Sequence, residues 1–142
     1  MTTVMPYLRT RLAGTLGLAV VVAGAVAGVI VETVNERSQL RAHAAASTGG
    51  DPSRGEAMFI QYGCGSCHGV KHVRKASGGV GPPLDGLPVR AVIAGKLANS
   101  PDNLEAWIRD PQRISPGTAM PDLNVGERDA RDISAFLYTR AE

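Results

Sequence analysis

The chain has 142 residues, with 15 lysines and arginines against 13 acids, and its aromatic content is only two Phe, three Tyr and one Trp. The basic excess is confined to the first fifty residues, where Arg9, Arg11, Arg37 and Arg41 face Glu32 and Glu36; from Asp51 onward eleven cations balance eleven acids, which disfavours a general nucleic-acid binder. After the first fifty residues about ninety remain, enough for one small domain with a thin core that a large apolar cofactor would complete.

The run from Leu12 to Val31 is twenty residues without a charge, interrupted only by Gly and Thr. That length crosses a hydrocarbon core of about 30 Å, so the sequence predicts a transmembrane anchor at 12–31 behind a short N-terminus at 1–11. Arg9 and Arg11 precede the run and Glu32 and Glu36 follow it, which places the N-terminus in the cytoplasm and everything after residue 31 outside. A cleaved signal peptide shares this beginning. The apolar run exceeds the usual signal core, however, and the Ala44–Ala46 cleavage candidate lies far past its end, so the uncleaved anchor is the favoured reading. Gly24 and Gly28, beside Ala23 and Ala27, form a small-xxx-small pattern that suits close helix approach or is simply membrane-helix background. Residues 32–50 turn polar, then rich in Ala, Ser, Thr and Gly, and predict a tether, helical at first and flexible by Gly49.

The small domain, 51–142, opens with Asp51-Pro52-Ser53, an N-cap and first-turn proline, with Ser53 and Glu56 spaced as a capping box. A helix to about Tyr62 should follow, broken by Gly63. Then come Cys64, Gly65, Ser66, Cys67 and His68, a CxxCH sequence that holds both cysteines of the chain. In this pattern each thiol can form a thioether to a haem vinyl group while the imidazole reaches iron. Three other uses of these residues are possible. Zinc held by Cys64, Cys67, His68 and His72 would be crowded; a thioredoxin-like redox pair lacks its preceding strand; a structural disulfide across so short a loop would constrain little.

A second axial ligand has to come from a distant loop able to wrap over a ring. Met120 meets this in Ser115-Pro116-Gly117-Thr118-Ala119-Met120-Pro121, where prolines and glycine set an irregular path. Met1 and Met5 belong to the cytoplasmic end, Met58 is expected in the core of the first helix, and His43 and His72 are expected in solvent. Ser100-Pro101-Asp102 starts another helix, with Leu104, Trp107 and Ile108 on one face until Pro111. A closing helix at about 127–139 places Ala130, Ile133 and Leu137 on one face with Phe136 on its shoulder.

Taken in order, residues 51–140 resemble the class I cytochrome c family: CxxCH near the front, a Gly-Pro loop, a helix ending in Asp-Pro, a Pro-Gly-Thr-Ala-Met loop and a closing helix. The resemblance implies an all-α domain around one covalent haem c, behind the single anchor. It implies that the Pro82 carbonyl of Gly81-Pro82 accepts the proton on the axial histidine's other nitrogen, that Leu84 packs near that histidine, and that Trp107 lies near the methionine side. Ile133 and Phe136 should then cross the first helix at Gly55 and Phe59. The stretch from Lys71 to Val80 departs from the shortest family members; its Lys71, Arg74 and Lys75 are read as a solvated run, with docking of an acidic partner as the alternative.

A haem with two protein ligands has no open position, so the expected task is one-electron transfer and not catalysis. Asp110-Pro111-Gln112 and Asp129-Ala130-Arg131-Asp132-Ile133 also look like cytochrome c domains associated with bacterial respiratory oxidases. A binuclear copper site would need more cysteines than the two present. The expectation is therefore an anchored cytochrome in a bacterial inner membrane, with its haem on the periplasmic side. It would serve a respiratory oxidase or quinol-oxidising complex as subunit or shuttle. A haem enzyme or gas sensor with a labile methionine, and an assembly factor using CxxCH without haem, are the rival classes.

Overall fold

The computed structural model describes the backbone of residues 5–140 and the side chains of residues 17–140. Met1, and the side chains of Met5, Arg9, Arg11 and Leu12, lie outside the described residues. The chain divides into two units, Met1–Gln39 and Leu40–Glu142.

The first unit is the greater part of helix α1, Met5–Thr48. From Gly17 to Gln39 every side chain is exposed, and the helix is long and apolar enough to cross a membrane. Neither Gly24 nor Gly28 has an atom within 4 Å of where a Cβ would stand.

The end of α1 belongs to the second unit. Residues 32–50, predicted as a polar tether, are helical as far as Thr48, and Ala44 is buried. The run Arg41-Ala42-His43-Ala44-Ala45-Ala46 has high helix propensity and small side chains, so it extends the helix and packs without the apolar periodicity that a larger core would show. The break falls where glycine allows it: Gly49 turns with φ 70°, and buried Gly50 lies so close to the backbone of Arg131 that a Cβ would collide there.

Helix α2 (Pro52–Gln61) is capped by Asp51, whose carboxylate accepts the N–H groups of Ser53 at 2.8 Å and Arg54 at 3.3 Å. Asp51, and not the Ser53–Glu56 pair, caps this helix; Glu56 instead pairs with Arg140 at 3.3 Å. Helix α5 (Glu127–Tyr138) crosses α2 at Gly55, where any side chain would run into the Asp132 carbonyl and the Phe136 Cβ. Beside this contact the Phe59 and Phe136 rings stand 5.6 Å apart at 52°, a tilted arrangement that suits their quadrupoles. The expected crossing of Ile133 and Phe136 with Gly55 and Phe59 is therefore present.

A polar network closes the rim of the same interface. Arg54 reaches Asp129 at 2.6 Å and also bonds Asp132. Tyr62 donates its hydroxyl to Asp129 at 2.8 Å, and Asp132 accepts the Asp51 N–H at 2.7 Å. The Tyr62 hydroxyl, followed by the Arg54 guanidinium, holds the Asp129 carboxyl below its ordinary value.

Between α2 and α5 run a turn of 3-10 helix at Cys64–Ser66, a second at Leu87–Val89, and an antiparallel hairpin of β1 (Val92–Ile93) and β2 (Leu97–Ala98). Helix α3 (Pro101–Arg109) is capped by Ser100, and the one-turn helix α4 (Pro111–Ile114) by Asp110. Pro111 ends α3 as expected and at once begins α4, because a proline at a first helical position lacks only an N–H that would have no partner. The buried core joins Phe59, Ile93, Leu104, Ile108, Val125, Ile133, Phe136 and Leu137. Helices make up nearly all of the regular structure of the described residues, and the two-residue strands are its small β addition.

Candidate cofactor site

Gly63 takes φ 74° after α2, a left-handed step that glycine makes without penalty. It delivers Cys64, Cys67 and His68 to one wall of a cavity of about 320 Å³. The His68 N–H is donated to the Cys64 carbonyl at 2.9 Å, so the turn that carries both thiols also positions the imidazole. The thiols are unbridged, and burial pushes Cys64 up to about 11.

His68 Nδ1 lies 2.8 Å from the Pro82 carbonyl oxygen. A carbonyl only accepts, so Nδ1 is the donor in this bond, and in the neutral tautomer that it favours Nε2 is the nitrogen with the lone pair. Gly81 lies flat against the imidazole, and a Cβ there would overlap the ring; Gly81 also donates its N–H to the Cys67 carbonyl at 2.8 Å. The Gly-Pro loop and the CxxCH turn thus hold one ring from two sides.

The cavity wall also includes Leu84, Trp107 and Met120. Leu84 and Trp107 are half-buried and pack on the core. All seven sequence-predicted site residues, Cys64, Cys67, His68, Pro82, Leu84, Trp107 and Met120, meet at this cavity. Met58 packs on the core and takes no part in the wall, and His43 and His72 are exposed.

Two contributors were not visible in the sequence. Gln112, on α4, donates Nε2 to the carbonyls of Thr118 at 2.9 Å and Met120 at 2.8 Å, and its Oε1 accepts the Gly117 N–H at 3.2 Å. One side chain thereby sets the path of the methionine loop. Arg90 is the only Lys or Arg among the wall residues, tied by Nη2 to the carbonyls of Pro83 at 2.5 Å and Asp85 at 2.8 Å. The Asp-Pro-Gln phrase and the Gly-Pro loop held these residues, but a glutamine and an arginine carry no signal until the backbone curls around them.

The wall is largely apolar, with an imidazole, a thioether and two thiols on it, and no cluster of three or more His, Cys, Asp or Glu gathers for a bare metal ion among the described residues. A family model for cytochrome c matches residues 52–141. The chain belongs to the cytochrome c family. Relatives among curated proteins include the cytochrome c oxidase subunit 2 of Alkalihalophilus pseudofirmus, 38% identical over 86 residues, which is 60% of this chain and 24% of that protein. The subunit 2 of Bacillus subtilis is 32% identical over 83 residues, covering 54% of this chain and 23% of that protein. For Bacillus sp. strain PS3 the figures are 38% over 68 residues, 46% and 19%. The chain matches no more than about a quarter of the length of these relatives. No solved structure gave a significant match. Membership in the cytochrome c family makes this a haem electron-transfer domain, and the cavity has the lining such a group needs.

Proposed function

We propose that this cytochrome binds one haem c through thioethers at Cys64 and Cys67, with His68 and Met120 as its two axial ligands, and acts as a membrane-anchored one-electron carrier. The observation that carries the reading is the His68–Pro82 hydrogen bond on the wall of a cavity that also holds both thiols and Met120. Bound there, haem supplies a ferric–ferrous couple, and a methionine ligand raises its potential relative to more basic ligands.

The residues of the chain do the rest. Pro82 keeps the His68 proton on Nδ1 and so directs Nε2 to the metal, fixing ring orientation and ligand basicity. Gln112 holds the Met120 loop closed over the cavity. Leu84, Trp107, Leu104 and Ile108 exclude water, which keeps the dielectric low around the couple. Arg90 offers a guanidinium to the carboxylates that a haem bears at its edge. With His68 and Met120 both holding the iron, no position would be left for a reactant, and the domain would exchange electrons without catalysis of its own.

We assign 12–31 to the membrane, 1–11 to the cytoplasm and the haem domain, from Asp51, to the extracytoplasmic side, because Arg9 and Arg11 precede the run and Glu32 and Glu36 follow it. The similarity to oxidase subunits favours a terminal respiratory oxidase as the electron acceptor, with this chain as its subunit or its tethered shuttle. Intact mass after acid-acetone extraction of the detergent-purified chain tests the attachment. The wild type should retain the mass of one haem and Cys64→Ala/Cys67→Ala should lose it; a wild-type chain of bare polypeptide mass would overturn the proposal.

A further inference from the structure

The carbonyl that accepts from His68 belongs to Pro82, an exposed residue, so water competes for both partners of that bond. Keeping it made requires that the Gly-Pro loop be held from elsewhere. Arg90 supplies the hold. Its Nη2 donates to the carbonyls of Pro83 at 2.5 Å and Asp85 at 2.8 Å. Proline locks φ at both Pro82 and Pro83, so fixing the second carbonyl leaves the first little room to turn. The use of this guanidinium is unlike that of its neighbours. Arg54, Arg109, Arg113, Arg131 and Arg140 each pair with a carboxylate, whereas Arg90 enters no ion pair among the described residues and spends its Nη2 on backbone.

Arg90 is in turn held by Asn99, a half-buried residue just past the hairpin. The Asn99 side chain donates Nδ2 to the carbonyls of Leu87 at 2.7 Å and Arg90 at 2.9 Å, the first residue of the 3-10 turn and the residue that closes it. Leu87 and Arg90 both line the cavity. Two carbonyls can be served only by the nitrogen of the amide, so Oδ1 faces the other way, where it accepts the Tyr138 hydroxyl at 2.9 Å. Tyr138, in the last turn of α5, thereby selects which end of the amide meets the turn. Two backbone bonds run alongside, from the Asn99 N–H to the Ala91 carbonyl at 3.0 Å and from the Gly86 N–H to the Arg140 carbonyl at 2.7 Å.

We propose that Asn99 is a positioning residue for the axial histidine: with its amide set by Tyr138 it holds Arg90, and Arg90 holds the loop whose Pro82 carbonyl orients His68. This rests on the haem reading given above. The series runs from the end of α5 to the imidazole, and each side chain in it is bonded to the next residue or to the loop that bears it. Loosening Asn99 therefore reaches the metal ligand without touching the cavity side of the imidazole.

The test follows exchange of the His68 Nδ1 proton with deuterium in the full haem-loaded ferrous chain, purified in detergent and read by NMR. Asn99→Leu keeps the volume and removes both donors, and should speed exchange by about tenfold or more; Tyr138→Phe should speed it by about threefold. Because Tyr138 acts through Asn99, N99L/Y138F should exchange as fast as N99L alone, and effects that multiply would break the series. Asn103→Leu removes a comparable amide-to-carbonyl bond, to Ala98 at 2.9 Å, and should stay within about twofold of wild type. Equal acceleration in N99L and N103L would reduce the effect to general loosening and overturn the proposal, as would a rate in N99L within about twofold of wild type. If N99L does not fold, Y138F decides alone, and an unchanged rate there is a refutation. The reduction potential is the second reading: N99L should shift the ferric–ferrous equilibrium against a fixed mediator by about threefold or more, which is about 28 mV at 59 mV per tenfold. A loss of stability alone would leave that equilibrium unmoved, and an unmoved value counts against the positioning role. A wild-type chain with no haem spectrum sinks the earlier reading, whereas a haem-loaded wild type indistinguishable from N99L sinks this one alone.

Discussion

Replacing Gln112 by leucine keeps the volume of the side chain and removes its three hydrogen bonds to the 117–120 backbone. A net hydrogen bond is worth about 0.5–1.5 kcal/mol. Gly117 is exposed, so water takes over its N–H, and the weight falls on the half-buried carbonyls of Thr118 and Met120. The loop should therefore lose about 1–3 kcal/mol, none of it drawn from the α2–α5 packing. At about 1.4 kcal/mol per tenfold, the population with the proposed Met120 ligand detached rises roughly 5- to 150-fold. An external ligand that needs the detached state gains apparent affinity by the same factor. Imidazole titration of the ferric protein reads this directly, with the long-wavelength band of methionine-ligated haem fading in parallel. An affinity within about twofold of wild type would refute the idea that Gln112 holds the methionine loop.

Gly55→Ala forces a Cβ into the Asp132 carbonyl; overpacking of about 1–3 kcal/mol plus a disturbed aromatic pair, less about 1 kcal/mol of helix propensity, leaves a net loss near 2 kcal/mol. Calorimetry should show the midpoint lowered by roughly 8–16 °C, with Gly79→Ala, in open space, as an unchanged control. Tyr62→Phe removes the larger of the two hydrogen bonds that keep Asp129 below its ordinary 3.8, the other being that of Arg54. A carboxyl with a depressed folded value stabilises above its unfolded pKa and stops doing so as pH falls through the folded one. The stability gap between wild type and Tyr62→Phe in urea melts should therefore be full at neutral pH and shrink below about pH 4; a gap independent of pH would contradict the network. Gly81→Ala pushes against the imidazole and should break the His68–Pro82 bond, seen as a changed proton resonance of the ring and a shifted reduction potential; an unmoved potential would deny Pro82 its tuning role.

What could be read from the sequence was whatever short-range chemistry dictates. CxxCH is legible because its spacing is the chemistry, and Gly63, Pro101 and Pro111 mark helix ends through fixed backbone preferences. Gly55 and Phe136 could be matched only through family order, since nothing local says that a glycine on one helix meets a phenylalanine 81 residues later. Asp51 outcompeted Ser53 as cap because Pro52 occupies the first turn and leaves the aspartate carboxylate nearest the free N–H groups. The hairpin was hidden because two-residue strands have no periodicity, and its turn uses Ala94 at φ 51° ahead of Gly95, a position where alanine gives no warning. Residues 32–50 looked like a tether because alanine-rich segments lack an apolar stripe, although alanine itself favours the helix found there. Gln112 and Arg90 act on backbone carbonyls brought together by loops, a tertiary event that residue type does not announce.

The most direct test of the central claim is an optical redox titration of the detergent-purified chain, run under nitrogen and again under carbon monoxide. A single one-electron wave, identical in both gases, is the result expected of iron held between His68 and Met120. A ferrous spectrum that carbon monoxide converts to an adduct, or a potential that it displaces, would contradict it.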